Sequence, residues 1–442
     1  MADIFPFQAY RYNTQRVRPV DVLTQPYDKI TPAMQQRYLR TSSFNLITVE
    51  KGEARPSDSP SDNVYTRAEQ ALQRWIGEGI LVRDTTPGIY AYSQEFPVPG
   101  TSERRTRSGF IALGRVEDYS AGVVFRHEYT LTGPKADRME LLRHTRTHTG
   151  QLFMLYTDPQ RRVDLALAAA ATGPAPVEAR DEYDVIHRLW PIFDAGVITA
   201  VRNAMADQKL VIADGHHRYE TAVAYRDQCR ATAAKADRDA PYEKVMMTFF
   251  NTRSEGLLIL PTHRVIAGVP GFAAAGFRRK MADVFDQQEF TFPGGSQRAP
   301  AFENFRRELA VRGSSVPAIG MYAAGSFVLF SLKSAADLSA LLPDVPDALR
   351  RLDVVLLHRL LLERGLGITP AAVAAGQHLT YERDAALGLD AVDEGRAQAC
   401  FLLNPIGVET TTEIALSGQV LPQKSTDFFP KLLSGITLYR ME

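Results

Sequence analysis

The apolar run Leu210-Val211-Ile212-Ala213 ends at Asp214-Gly215-His216-His217-Arg218, and helical spacing follows from Tyr219 to about residue 235. Four apolar residues stopped by a glycine read as a buried strand, so the fold must pack strands against helices. Gly215 lets the backbone come close to a ligand. The free N–H groups at the helix start carry partial positive charge and favour a phosphate. Arg218 adds a planar fork of donors that matches phosphate oxygens. His216 or His217 can donate to the same group or hold the loop in shape. Asp214 would repel a bare phosphate, so it reads as a ligand of a Mg²⁺ ion bridging phosphates, or as the group that orients a histidine. Two alternatives stay open. One is a plain helix start with exposed polar residues. The other is a transition-metal site at His216 and His217, although adjacent residues diverge at a helix start and no third and fourth ligands lie nearby in sequence.

A chain of 442 residues exceeds one ordinary core, and two or three lobes are expected. Four segments can be drawn. Residues 1–105 form an N-terminal α+β segment. It has an extended stretch at 17–27, a helix opened by Thr31-Pro32, a strand at 45–50, a mobile loop at 53–63 and a helix at 64–77. Residues 106–270 hold most of the chemistry. Strands are expected at 107–116, the first paired with 89–96, and at 152–156, 210–213, 245–251 and 257–260. Helices are expected at 138–148, 191–207 and 219–235. Residues 271–345 read as a small α+β insertion with a helix at 301–311 and strands at 318–322 and 326–332. Residues 346–442 read as one helix at 346–364 with a wide leucine stripe, a strand at 399–403 and a polar tail.

Other polar groups add to the loop. Glu128, beside His127 at the end of an apolar run, suits a general base. Lys135 and Arg138 follow Gly133-Pro134 at a helix start and could contact phosphates, with Asp137 as a cap. Lys424, Ser425, Thr426 and Lys431 bring two ammonium groups and two hydroxyls to the tail; this is not a Walker A loop, because the pattern Gly-x-x-x-x-Gly-Lys is missing. Tyr27 and Asp28 lie in an N-terminal turn that either caps a helix or faces the site. Tyr381-Glu382-Arg383-Asp384 reads as a surface charge cluster.

Composition excludes several classes. Lys plus Arg number 51 and so do Asp plus Glu, which disfavours a nucleic-acid-coating surface. Cys229 and Cys400 are the only cysteines, so there is no disulfide framework and no four-cysteine zinc site. No signal peptide is visible at the start, and no run approaches the roughly 18 apolar residues of a membrane span. A cytoplasmic location is expected.

The stretch Ile212 to Ala222 resembles the Ala-Asp-Gly-His-His-Arg-Tyr-Glu signature of the bacterial family called domain of unknown function 1015. Pro26-Tyr27-Asp28, His127-Glu128-Tyr129-Thr130 with Lys135-Ala136-Asp137-Arg138, and Pro422-Gln423-Lys424-Ser425-Thr426 with Phe429-Pro430-Lys431 resemble its other motifs in the same order. The loop is also similar to that of free-serine kinases of the ParB/sulfiredoxin-like fold. That resemblance implies an α+β fold: a ParB/sulfiredoxin-like mixed α/β core elaborated with N-terminal, inserted and C-terminal α+β segments. It implies ATP or ADP with Mg²⁺, and phosphoryl transfer to a hydroxyl, with free L-serine giving O-phosphoserine as the leading reaction. Glu128, Asp214 and His217 would be catalytic. Gly215, His216, His217, Arg218, Lys135, Arg138, Lys424, Ser425, Thr426 and Lys431 would bind nucleotide phosphates. His127, Tyr27 and Asp28 would face the substrate. The alternatives are a non-catalytic, ParB-like nucleotide-binding regulator and a phosphatase or nucleotidase at the same site. Nucleotide and a small molecule are the expected partners, with a homodimer as an option and no membrane partner.

Overall fold

The computed structural model describes residues 2–129 and 133–442. The chain divides into two compact units, one made of Met1–Leu258, Ala415–Gly418 and Phe428–Glu442, the other of Ile259–Ile414 and Gln419–Asp427. The architecture is mixed α/β. Among the described residues no helix is long and apolar enough to cross a membrane.

The first unit is built on a nine-stranded sheet. Its order is Val124–Phe125, Leu210–Asp214, Leu152–Tyr156, Lys244–Asn251, Arg104–Arg115, Ile89–Pro97, Ile186–Ile192 and Val177–Arg180, with Ile4–Phe5 paired to Arg104–Arg115. The pairs Val124–Phe125 with Leu210–Asp214 and Leu152–Tyr156 with Lys244–Asn251 are parallel, and the rest are antiparallel. Strands come from both sides of residue 105, so the sheet does not respect the first sequence segment. Leu152, Met154, Leu210, Ile212, Met247 and Phe249 pack in one core with Tyr219 and Ala222 of the following helix. A second core surrounds Trp75 on the helix Val64–Gly77. Asn63 starts that helix by accepting from the N–H groups of Tyr65 and Thr66, and Thr66 bonds back.

The second unit has a six-stranded antiparallel sheet in the order Phe285–Thr291, Ser326–Leu332, Ala318–Ala323, Ala399–Leu403, His263–Ile266, Leu379–Glu382. Phe277, Phe330 and Phe401 pack on one side of it, and Phe305, Phe327 and Leu402 on the other.

Four local expectations are corrected. Residues 45–50 are not a strand: the Asn45 side chain accepts from the Ile47 N–H at 2.9 Å and turns the chain into the helix Ile47–Glu50. Pro191 does not open a helix; it lies in the strand Ile186–Ile192 opposite Tyr90, and the helix starts at Ala195 under the Asp194 cap. The expected helix at 346–364 is broken into Asp347–Arg350, Asp353–Leu356 and a π-helix at Leu357–Gly365. Asp353 accepts from the Ala318 N–H at 3.0 Å, which ties its first turn to a strand instead of to a preceding helical turn. The expected polar tail is not a solvated one: Phe428, Leu432, Leu433, Ile436 and Leu438 are buried, and Tyr439–Arg440 pairs with Thr147–His148.

Close strand packing sets one strict demand. A Cβ on Gly109 would sit 2.1 Å from the Phe249 carbonyl oxygen and 2.6 Å from Phe250 Cδ1. Gly109→Ala should therefore cost about 3 kcal/mol, read as a lowered urea midpoint, whereas Gly77→Ala at the open end of its helix, where a Cβ meets nothing within 4 Å, should not lower it.

Candidate active site

The strand Leu210–Asp214 ends in a bulge. Ile212 lies opposite Met154 and Asp214 opposite Phe153, so Ala213 is the extra residue. A bulge re-aims the side chains that follow it. Gly215 then takes φ +94°, a left-handed conformation that L side chains rarely adopt, and the helix His216–Thr232 begins. A Cβ there would meet Leu152 Cδ2 at 3.0 Å and Arg218 Nη2 at 3.1 Å. Bulge and glycine together turn Asp214 and Arg218 toward each other.

Asp214 is the electrostatic centre. Its Oδ2 accepts from Arg218 Nη2 at 3.0 Å, and its Oδ1 from Lys431 Nζ at 3.0 Å. Burial pushes this carboxyl up, but Lys431 and Arg218 more than offset that and hold it far below the usual carboxylate range. Lys431 is brought in from the C-terminal segment. Its carbonyl accepts from Gln94 at 2.8 Å, and the buried Arg107 donates to the carbonyls of Phe429 and Pro430 at 3.1 and 2.7 Å.

Arg218 also donates through Nη1 to the Gln151 carbonyl, while its buried Nε has no hydrogen-bond partner. It lines a cavity of about 40 Å³ together with Glu50, Arg138, Thr149 and Gly150. Glu50 is 2% exposed. Its Oε2 accepts from the Thr149 hydroxyl, and its Oε1 lies 3.7 Å from Arg138 Nη1 and 3.5 Å from Ser434 Oγ. Arg138 bonds Asp137 and the Glu50 carbonyl, and it lies 4.3 Å over the Tyr27 ring. Burial pushes the Tyr27 phenol up to about 12 against the opposing field of Arg218. A cavity of this size admits a small polar group and excludes a whole nucleotide.

The His127 and His216 imidazoles pack against each other. His127 is fully buried and its Nδ1 donates to the Ile212 carbonyl at 2.7 Å. Its ring meets His216 edge to face at 4.7 Å, and its Nε2 lies 3.8 Å from Glu128 Oε1. Burial, and for His216 the neighbouring His127, push both below the ordinary histidine value, so both are neutral at pH 7. The His217 carbonyl accepts from Thr221 Oγ1 at 2.8 Å.

The remaining expected residues have these surroundings. Lys135 pairs with Glu220 on the same helix as the loop residues. Asp28 is exposed at the turn Tyr27–Lys29. Lys424, Ser425 and Thr426 belong to the second unit, where Lys424 is exposed, its carbonyl accepts from Arg264 at 3.0 Å, and Ser425 Oγ donates to the Pro422 carbonyl at 2.5 Å. Arg383, in the expected surface charge cluster, pairs with Asp427 at 2.7 Å. Thr130 lies outside the described residues. Sequence reasoning misses Glu50, Thr149, Gly150, Gln151 and Ser434. A strand reading of 45–50 hides the one clue, a carboxylate at the end of an apolar stretch. Among the described residues no cluster of three or more His, Cys, Asp or Glu is placed to hold a metal ion.

The model of the family described as "Protein of unknown function (DUF1015)" matches residues 4–355. A search of curated proteins finds no significant match. Among solved structures, a free serine kinase variant in complex with AMP is similar at 10% identity and a TM-score of 0.35, over 71% of this chain and 89% of that one. A conserved hypothetical protein from Pyrococcus furiosus is similar at 11% identity and 0.33, over 69% and 87%. SbnI with a C-terminal truncation, from Staphylococcus aureus, is similar at 10% identity and 0.33, over 73% and 85%.

The neutral histidines give a pH dependence. Folded His127 and His216 bind protons less readily than in the unfolded chain, so the stability they contribute is complete above about pH 6.5 and is lost as the pH falls below it. His127→Asn, which keeps a donor for the Ile212 carbonyl, should flatten the decline of the thermal midpoint between about pH 6.5 and pH 5. An unchanged pH profile would show that His127 is not held neutral.

Proposed function

The chain belongs to the DUF1015 family, whose description states no activity, and we propose that it is a small-molecule kinase that moves a phosphoryl group from ATP or ADP to a hydroxyl acceptor. The observation that carries this reading is Arg218: a guanidinium fixed beside a left-handed glycine at a helix start and lining a small cavity with Arg138. Two guanidinium groups at one small cavity suit a terminal phosphate, while the base and ribose stay outside it.

In the transfer step the acceptor oxygen attacks phosphorus, the bond from phosphorus to the nucleotide oxygen breaks, and a carboxylate takes the acceptor proton. Glu128 is assigned that role by its place beside His127. Glu50 is the rival, because it lies in the same cavity as Arg218. Free L-serine is the proposed acceptor, on the similarity of the Asp214–Arg218 loop to that of free-serine kinases. Mg²⁺ would travel with the nucleotide phosphates. Asp214 does not fit as its ligand in this geometry, since each of its oxygens already accepts from a cation. A cytoplasmic enzyme acting alone or as a homodimer is consistent with this chemistry.

The test is turnover of ATP and ADP with Mg²⁺ and a panel of amino acids and polyols. Phosphorylated serine supports the full reading, hydrolysis without acceptor favours a phosphatase or nucleotidase, and tight binding without turnover favours a regulator. Arg218→Ala should weaken nucleotide binding and lower kcat by about 10²–10³. Glu128→Gln should spare binding and abolish transfer; if it keeps full rate while Glu50→Gln does not, the base is Glu50.

A further inference from the structure

A larger cavity, of about 450 Å³, lies in the first unit over the strands Ile89–Pro97 and Arg104–Arg115. Its volume falls within the roughly 300–1,000 Å³ of ordinary small-molecule sites. It shares no lining residue with the cavity at Arg218. Ser93 and Ser108 are paired across its floor, and Thr106, two residues before Ser108, projects from the same face. None of these three hydroxyls is hydrogen-bonded to another described residue. Ser93 is only 8% exposed. The Ser93 hydroxyl, with no hydrogen-bond partner among the described residues, keeps its donor and acceptor capacity for whatever occupies the cavity.

The walls supply a different chemistry. Trp190 lies opposite Ala91, on the face that carries Ser93, and its indole N–H is anchored on the Gly173 carbonyl at 3.2 Å. Leu167 and Ala171, from the helix Arg162–Ala170 and its end, make the wall apolar. The rim carries Arg161, Asp164 and Glu255. Asp164 is held by Arg161 at 3.2 Å and by Asn251 at 3.1 Å. Two carboxylates against one guanidinium leave the lining net negative, which repels phosphates and free carboxylates.

We propose that this cavity binds a neutral, hydroxyl-rich ring compound, a free sugar or a nucleoside. The apolar face of the ring lies on Trp190 and the helix wall, and its hydroxyls bond Ser93, Ser108 and Thr106. This inference does not depend on the phosphotransfer reading.

Calorimetric titration of the full chain with glucose, galactose, ribose, adenosine and uridine, and with their phosphate esters, tests it. At least one neutral compound should bind saturably, and its phosphate ester should bind about ten-fold more weakly or worse. Ser108→Ala, at an exposed position where folding is undisturbed, and Trp190→Leu should each weaken binding about ten-fold. Binding of sugars alone or of nucleosides alone identifies the source of the ring. The proposal is overturned if no neutral compound binds by about 1 mM, if binding survives both variants, or if it is lost in Arg218→Ala but kept in Ser108→Ala.

Discussion

Asp214 accepts one hydrogen bond from a lysine and one from an arginine, and those two bonds join three parts of the first unit. Arg218 belongs to the helix that follows the strand, Lys431 to the C-terminal segment, and Asp214 to the bulged strand end between them. A carboxylate with only 23% of its side chain exposed needs such partners, because removing either leaves its desolvation less fully offset. The bulge at Ala213, the left-handed Gly215 and the burial of Phe428 and Leu432 make mechanical sense as the setting of this pair of contacts. The junction therefore sets two cations, Arg218 and Lys431, against one carboxylate, and the attraction for an anion rests on the single positive charge left over.

The loop was legible in the sequence because strand, glycine and helix follow one another without interruption. Periodicity also placed the helix Val64–Gly77 and the strands Leu152–Tyr156, Ser326–Leu332 and Ala399–Leu403. These elements are long or uniformly apolar, so burial dominates over local chemistry. The failures have the opposite character. At Asn45 a side chain accepts from the backbone and overrides an alternating pattern. At Pro191 a helix-opening rule met a strand, and the cap lay three residues on at Asp194. The C-terminal segment looked solvated because its apolar residues are spaced by polar ones that are themselves satisfied inside. Beyond its place at the end of an apolar stretch, Glu50 carries no pattern, since its meaning comes from Thr149, Arg138 and Ser434, which are distant in sequence.

These two cavities of the first unit differ in chemistry. One is small and lined by guanidinium groups and a buried carboxylate; the other is several times larger and lined by hydroxyls, an indole and aliphatic carbons. Both borrow from the same sheet, yet by different means. The first uses strand ends and loops, where backbone geometry is free to vary. The second uses the flat middle of two strands, where alternation alone puts Ser93 and Ser108 opposite each other.

The first unit is closed by residues 428–442, and 259–427 are made in between, apart from the short return at 415–418. On a ribosome adding about 5–20 residues per second, Lys431 emerges about 10–40 s after the loop's own strand and helix. During that interval Asp214 has Arg218 alone, and Arg107 lacks the carbonyls it finally holds. A prematurely released fragment thus carries the whole signature loop without the amine that completes it, so possession of the motif and possession of a finished pocket are separate events in the life of the polypeptide.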